Sequence, residues 1–548
     1  MMIPTTLLAT LFNVVIMLGM VSAENSSHKR SPSVIVLIPD GFGASQATLT
    51  REFLRAKYGI DERFNKLAFD DYHVGSIMTK SANNLVTDSA AAGTAFACGA
   101  NINNGIIGYD EDIEVCPTIL EGAKAKGYKT GLVTTTRITH ATPAAFSSHV
   151  YDRDLEADIA TMQLGEYVLG PQVDLLWGGG RSFFTPASAN GSRTDERDLV
   201  AEAKEKGWNV VLSKEEFDAY GKDGKARRSR ISVKARENWS HLPSLGLFAD
   251  SHLDYDIDRD ESEQPSLSEM AVGALDALDA NDEPFFLMVC GLPCHVLPFL
   301  LPSTLSSDIP HSTALKDEAD HQVEAGRIDH AGHANDAAGI IHDVLAYNQV
   351  WSDTIKWIDS HGDHKTDYIV LATADHDTGA LNLPGGWLPP SLVNVTNSIE
   401  YLADWLEEEG EGITGEELNT LIERVLVDKL ALNVTVIEPE YMDLLTEAVS
   451  TGSGIAGNLT EIRNEQSGLN WGTGGHSSVD VSLYLYPQDD KELVESVQGL
   501  HPNVWLAQWI ESYLSLDLAS VKAKLDSDGS LRNETRREEI LAGPVISD

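Results

Sequence analysis

The sequence predicts an α/β fold: one large, mostly parallel central sheet with helices on both faces, carrying an inserted cap or dimer-contact subdomain. Three observations predict it. Short, nearly continuous apolar runs recur along the chain, as strands buried on both faces require. Helical patterns such as Leu267–Leu278 and Ala334–Ile358 separate those runs, which is the alternation of strand–helix–strand units. Chemistry-bearing residues directly follow several runs, and open α/β sheets bind ligands at the carboxyl ends of their strands.

In chain order, residues 1–23 come first. They are uncharged and mostly apolar and end Met20-Val21-Ser22-Ala23, with Val21 and Ala23 meeting the small-residue rule for signal-peptidase cleavage. A basic start is missing, so a retained membrane anchor is the alternative. Lys29-Arg30 offers a dibasic processing site. The main domain is expected over 33–487, with strands at Ser33–Ile38, Thr130–Thr134, Val173–Trp177, Asn209–Leu212, Pro284–Val289, Tyr368–Ala372 and Val481–Tyr486. Residues 381–470 form the insertion, with an acidic helix at Ile399–Glu409 and an amphipathic one at Gly415–Leu430. A helical tail is expected over 488–548, and its polar end lacks the apolar stretch of a lipid-anchor signal.

At 548 residues the chain can bury a large core in one extended domain with insertions. Forty Lys and Arg against 84 Asp and Glu leave a formal charge of −44, which argues against nucleic acid and anionic lipid as partners. An anionic substrate would need a local positive field, which metal ions supply. Seven Asn-x-Ser/Thr sequons (Asn25, Asn190, Asn238, Asn394, Asn433, Asn458 and Asn533) suit passage through a secretory lumen. The destination would be extracellular or a vacuolar lumen, with membrane attachment only if the N-terminal segment stays uncleaved. Four cysteines are too few for a disulfide scaffold, although Cys98 and Cys116 are close enough to pair.

Catalytic zinc takes His nitrogens and carboxylate oxygens and keeps one position open. Asp329 and His333, four apart, would share a face at a helix start, and with His476 could make a three-ligand site. Asp375-His376, a turn at a strand end, could make a second site with Asp40. Two ions about 4 Å apart would clamp the attacking and leaving oxygens of an in-line displacement. Glu324, Asp40 and the Thr142 hydroxyl form a harder, all-oxygen set that suits Mg²⁺. Ser89 begins a run of small residues, where a helix N-terminus would favour its ionised hydroxyl. Each piece has an ordinary reading: Asp-His is commonly a solvated turn, Ser89 could be only an N-cap, and Arg153 only a surface ion-pair partner. Their joint occurrence at strand ends and helix starts argues otherwise.

As a set, Pro39-Asp40-Gly41, Thr87-Asp88-Ser89-Ala90, Thr139-His140-Ala141-Thr142-Pro143, the Arg153 segment, Glu324 with Asp329 and His333, Ala374-Asp375-His376 and Gly475-His476 resemble the alkaline phosphatases of eukaryotic, fungal kind. The resemblance runs from about Ser33 to about Pro487. It implies phosphate monoester hydrolysis at alkaline pH through a phosphoserine on Ser89, with Arg153 gripping the phosphate. It implies two Zn²⁺ and one Mg²⁺ per subunit. Zinc would be held by Asp329, His333 and His476 and by Asp40, Asp375 and His376, magnesium by Asp40, Thr142 and Glu324. His140 and His330 stand where bacterial relatives carry Asp and Lys. The family is typically homodimeric.

One segment departs from the pattern. The run Phe-Phe-Leu-Met-Val289 should pass straight into Glu324-Ala-Gly-Arg, yet Cys290 to Val323, 34 residues with four prolines, intervene. Excising Val289 to Gln322 restores Phe-Phe-Leu-Met-Val-Glu-Ala-Gly-Arg-Ile-Asp-His. Val-Cys can be encoded GTA-TGT, Ala319-Asp320 can contain CTGAC, and Gln322 can be CAG, so residues 289–322 read as a translated intron, with a surface loop as the alternative. Two other functional classes fit less well. Related phosphodiesterases and sulfatases lack the Thr-Asp-Ser and Arg153 segments, and a non-catalytic metal-binding glycoprotein would not need the full ligand set.

Overall fold

The computed structural model describes residues 31–61, 65–225, 242–280, 283–291, 327–361, 367–433 and 437–531. Residues 1–23, Asn25, Asn238, Asn533, Cys294, Glu324 and the stretch 292–322 lie outside them.

Ten strands form one sheet: β1 (Ser33–Ile38), β2 (His73–Met78), β3 (Lys129–Arg137), β4 (Leu175–Gly179), β5 (Asn209–Val211), β6 (Ser244–Leu247), β7 (Phe285–Cys290), β8 (Tyr368–Thr373), β9 (Val481–Tyr486) and β10 (Gly499–Pro502). Their spatial order is β10-β2-β9-β8-β1-β7-β3-β4-β6-β5. Only β9 runs against its neighbours, so the expected mostly parallel sheet is present. β1, β7 and β8 are buried at every position, which is why they read as unbroken apolar runs. The expected helical tail 488–548 needs correcting, because it also supplies edge strand β10. β2, β6 and β10 were not expected from sequence. Their segments are short or interrupted by Gly and Pro, and strand formation there depends on neighbours rather than propensity.

Five helices position the site: α1 (Ala44–Tyr58), α2 (Ser89–Cys98), α3 (Ala141–Ser147), α4 (Arg327–His333) and α5 (Ala337–Asp359). The expected helix at Ala334–Ile358 is α5, and a break at Ala334–Asp336 separates it from α4. Buried Asp336 makes that break. One oxygen accepts from the amides of Ala338 and Gly339 at 2.9 and 3.1 Å, capping α5, and the other accepts from Ile399 at 2.8 Å. Asp336→Ala should therefore leave three buried N–H groups unsatisfied and lower stability by about 2–4 kcal/mol. A denaturant midpoint unchanged from the parent would refute that role.

The insertion contains helices at Ile399–Gly410, Glu416–Arg424, Pro439–Thr451 and Ile455–Ser467. The expected helix Gly415–Leu430 is thus α-helical only to Arg424 and passes into a π turn at Val425–Lys429. Two short antiparallel ladders close its base. Leu381–Asn382 pairs with Asn470–Trp471, and Asp377–Thr378 pairs with His476–Ser477. The chain therefore leaves and re-enters the main domain at almost one point.

Cys98 and Cys116 form a disulfide. Of the sequons within the described residues, Asn190, Asn394 and Asn433 are exposed, while Asn458 is half-buried and its amide donates to the Leu444 carbonyl. No helix among the described residues is long and apolar enough to cross a membrane.

Candidate active site

Asp40 follows β1, Asp375 and His376 follow β8, and Thr142 lies in α3 after β3, so adjacent strand ends bring distant residues together. Gly41 allows the closest approach. Its φ is +73°, and a Cβ there would meet the Asp329 Cα at 2.7 Å, so only glycine fits without displacing α4. The same Gly41 donates its N–H to Asp375 Oδ1 at 3.1 Å. Thr142 Oγ1 donates to Asp40 Oδ2 at 2.8 Å.

Ser89 is the first residue of α2 and is fully buried. It is not the N-cap, since Asp88 fills that role by accepting from the Ala91 amide at 2.9 Å. Ser89 Oγ is left facing His376 Nε2 at 3.0 Å. The other Asp88 oxygen accepts from the Gly105 amide at 2.8 Å and from Arg153 Nη1 at 3.1 Å. Asp88 thus caps the Ser89 helix and also fixes the guanidinium that faces the same space.

A chain of hydrogen bonds defines the His376 tautomer. Thr378 Oγ1 donates to Asp329 Oδ1, so it can only accept from His376 Nδ1, 3.2 Å away. The lone pair of His376 is then on Nε2, toward Ser89. Burial, reinforced by the neighbouring His476, holds the His376 pKa well below the usual range and keeps the ring neutral.

His333 and His476 follow the same logic. Their Nδ1 atoms donate to the carbonyls of Gly474 and Thr87 at 2.6 and 2.7 Å. Both Nε2 lone pairs then point inward, 3.2 Å apart, with Asp329 oxygens 3.3 and 3.6 Å away. Two lone pairs and a carboxylate at that spacing repel unless a cation lies among them. Burial would raise the Asp329 pKa, but the interactions with His333, His476 and His376 outweigh it and hold the carboxylate ionised. Burial, then Asp375 and Asp329, drive Asp40 up, and burial with Asp329 pushes Asp375 up to about 7.

Two groups of donors each fall within 4.8 Å of one another: Asp329 with His333 and His476, and Asp40 with Asp329 and His376. The first is the trio expected from sequence. In the second, Asp329 stands between the groups, and Asp375 reaches the edge with Oδ2 3.3 Å from His376 Nε2. Asp40 Oδ1, Asp329 Oδ2 and Asp375 Oδ2 are buried and accept no hydrogen bond. Buried carboxylate oxygens left this way fit coordination to cations.

His140 and His330 are buried beside this centre. His140 Nε2 lies 3.4 Å from Arg153 Nη2, and His330 Nδ1 lies 3.0 Å from Arg327 Nη1. Sequence reasoning missed three residues that hold them. His252 packs edge-on against His330 at 4.5 Å and approaches His140 at 5.6 Å. Arg137 donates its backbone N–H to His252 Nδ1 at 3.2 Å and binds Glu156 with its guanidinium, Nη2 to Oε1 at 2.7 Å. Thr378 was missed too. Its place two residues after His376 was the available signal.

The alkaline phosphatase family model matches residues 32–293 and 321–516. The repressible alkaline phosphatase of Saccharomyces cerevisiae is 35% identical over 91% of this chain and 84% of its own length. An alkaline phosphatase of Schizosaccharomyces pombe is 32% identical over 91% and 85%. Among solved structures, Thermus thermophilus alkaline phosphatase matches with TM-score 0.67 at 26% identity, covering 91% of this chain and 96% of that one.

Proposed function

This chain belongs to the alkaline phosphatase family, and from that premise we propose that it hydrolyses phosphate monoesters through a covalent phosphoserine on Ser89. The observation that carries this reading is the buried Ser89 hydroxyl facing the His376 lone pair at 3.0 Å, beside Arg153 and two converging donor groups.

Zinc would be held by Asp329, His333 and His476 and by Asp40, Asp375 and His376, magnesium by Asp40, Thr142 and Glu324. When bound, these ions supply Lewis-acid stabilisation of the developing charge and make water ionisable near neutral pH. The rest falls to the protein. Ser89 Oγ, at the positive end of α2, attacks phosphorus and the ester oxygen departs, leaving phosphate on Ser89. Arg153, held by Asp88, orients the non-bridging oxygens with its planar fork. Water then attacks the same phosphorus in the second half-reaction, the bond from phosphorus to Ser89 Oγ breaks, and inorganic phosphate is released with the serine hydroxyl restored. His140 and His330, both buried, would border the magnesium position. We also place the protein in the secretory pathway, secreted or vacuolar, as a homodimer. The seven sequons and the apolar start support the location.

The experiment is turnover of an aryl phosphate monoester, its diester and an aryl sulfate by the metal-stripped protein before and after zinc is restored. Monoester turnover that returns with zinc supports the reading. A stronger response with the diester or sulfate overturns it.

Residues 289–322 are in our reading a translated intron, which is supported by the break in the family match between residues 293 and 321. Glu324 must leave the end of β7 at a fixed angle to reach Asp40 and Thr142, and a detour of 34 residues removes that constraint. Misplacing a catalytic group by about 1 Å can cost about 10²-fold. The form lacking 289–322 should accordingly be much more active at saturating zinc and magnesium. Equal kcat for both forms would show the segment to be harmless.

A further inference from the structure

Arg153 is carried by a short ribbon outside the central sheet. Ile107 and Val150 exchange backbone hydrogen bonds at 3.0 Å, and the Arg153 amide donates to the Gly105 carbonyl at 2.8 Å. Gly105 in turn donates to Asp88 Oδ2, the oxygen that accepts from Arg153 Nη1. The guanidinium is therefore placed only as accurately as residues 105–108 and 150–153 are held.

His149 anchors the far end of that ribbon. Its Nδ1 faces the Gly108 carbonyl at 3.0 Å and its Nε2 faces Glu121 Oε1 at 2.9 Å, and neither side chain of the His149–Glu121 pair is exposed. Gly108 has a φ of +74°, and a Cβ there would meet His149 Nδ1 at 2.5 Å, so glycine lets the ring reach the ribbon. Glu121 belongs to the helix Ile119–Ala125 and is itself fixed. Its Oε1 accepts from the Tyr167 hydroxyl at 2.7 Å, and its Oε2 accepts from the Thr118 amide at 2.9 Å. Both ring nitrogens of His149 thus face acceptors, which a charged ring satisfies with two N–H donors. Burial opposes that charge, but the Glu121 carboxylate and the Gly108 carbonyl outweigh it and raise the His149 pKa above its ordinary value.

On the reading of Arg153 given above, we propose that His149 is a positioning residue for phosphate binding. Through its buried pair with Glu121 it ties the Arg153 ribbon to the helix Ile119–Ala125 and so sets where the guanidinium sits. The physical basis is the character of a buried ion pair. Desolvation offsets much of its attraction, so it adds little net stability, yet the attraction is realised only when both partners keep one geometry. Four residues separate His149 from Arg153, and the backbone bonds of Val150 and Arg153 pass that geometry along the ribbon.

The test is binding of inorganic phosphate to the zinc-loaded full-length protein by isothermal titration calorimetry. The parent, His149→Gln, Arg153→Ala and the protein carrying both substitutions are compared, with zinc content and melting temperature read on the same samples. His149→Gln should weaken phosphate binding about tenfold, the size of one net hydrogen bond, at the parent's zinc content. In the Arg153→Ala background the same substitution should add no further loss, because the guanidinium it positions is gone. A folded His149→Gln protein that binds phosphate as the parent does overturns the proposal, even if its melting temperature falls, since the role would then be structural alone. Equal losses in both backgrounds overturn it too, because the effect would not pass through Arg153. His149→Leu combined with Glu121→Gln removes the pair without stranding a buried charge, and the same criteria apply to it should His149→Gln fail to fold. Unchanged phosphate affinity in Arg153→Ala would instead defeat the phosphate role of Arg153 itself, and the proposal would fall with it.

Discussion

Ser89→Ala abolishes turnover, by about 10³-fold or more, and leaves zinc content nearly unchanged: that is the first expected result. The loss follows because the attacking oxygen is gone and no other hydroxyl in the described structure faces His376 Nε2 from Ser89's position. The metals stay because both donor groups are made of Asp and His side chains. The fold stays because Asp88, not Ser89, caps α2, and alanine is the best helix former at its first turn. Quenching in acid after brief exposure to labelled phosphate should mark Ser89 in the parent only. Label recovered on the variant would falsify the nucleophile assignment.

His333→Ala and His376→Ala should each remove one zinc and cost several orders of magnitude in rate. The two losses have different local causes. Without His333, His476 Nε2 and Asp329 Oδ2 are left as two of the trio's three donors. Without His376, Ser89 Oγ loses its 3.0 Å acceptor, and Thr378 loses the ring that its bond to Asp329 had oriented. Zinc per subunit and kcat in zinc-only buffer measure both. Near-normal rates in either variant would defeat the two-zinc reading.

Most of the central sheet was legible because β1, β7 and β8 are buried throughout, and complete burial writes itself as an unbroken apolar run. β2 and β10 were not legible. They pair at the sheet edge with segments more than 400 residues away and carry His, Gly and Pro, so only the partner makes them strands. The candidate ligands stood out for a different reason. Asp, His and Ser at strand ends and helix starts are conspicuous in an otherwise apolar context. What sequence could not show was orientation. The Asp88–Arg153 pair joins residues 65 apart, the His252 contact with His330 joins a loop to α4, and the His tautomers depend on carbonyls of Thr87 and Gly474. The register that sets Cys290 between Ile38 and Thr134 appears only when three strands are aligned.

The paired ladders at the base of the insertion carry a consequence for how such a protein can diversify. Thr378 and His476 face each other as strand partners across a gap of nearly a hundred residues, and Leu381 and Trp471 repeat the arrangement one step out. Closing a longer excursion costs only about 0.6 kcal/mol for each doubling of its length once its ends are fixed. The domain between those ladders can therefore be enlarged, pruned or exchanged for an unrelated one without moving His476 relative to His376. Chimeras joined at 381 and 471 would test how far the insertion can be rewritten while the site at its base stays the same.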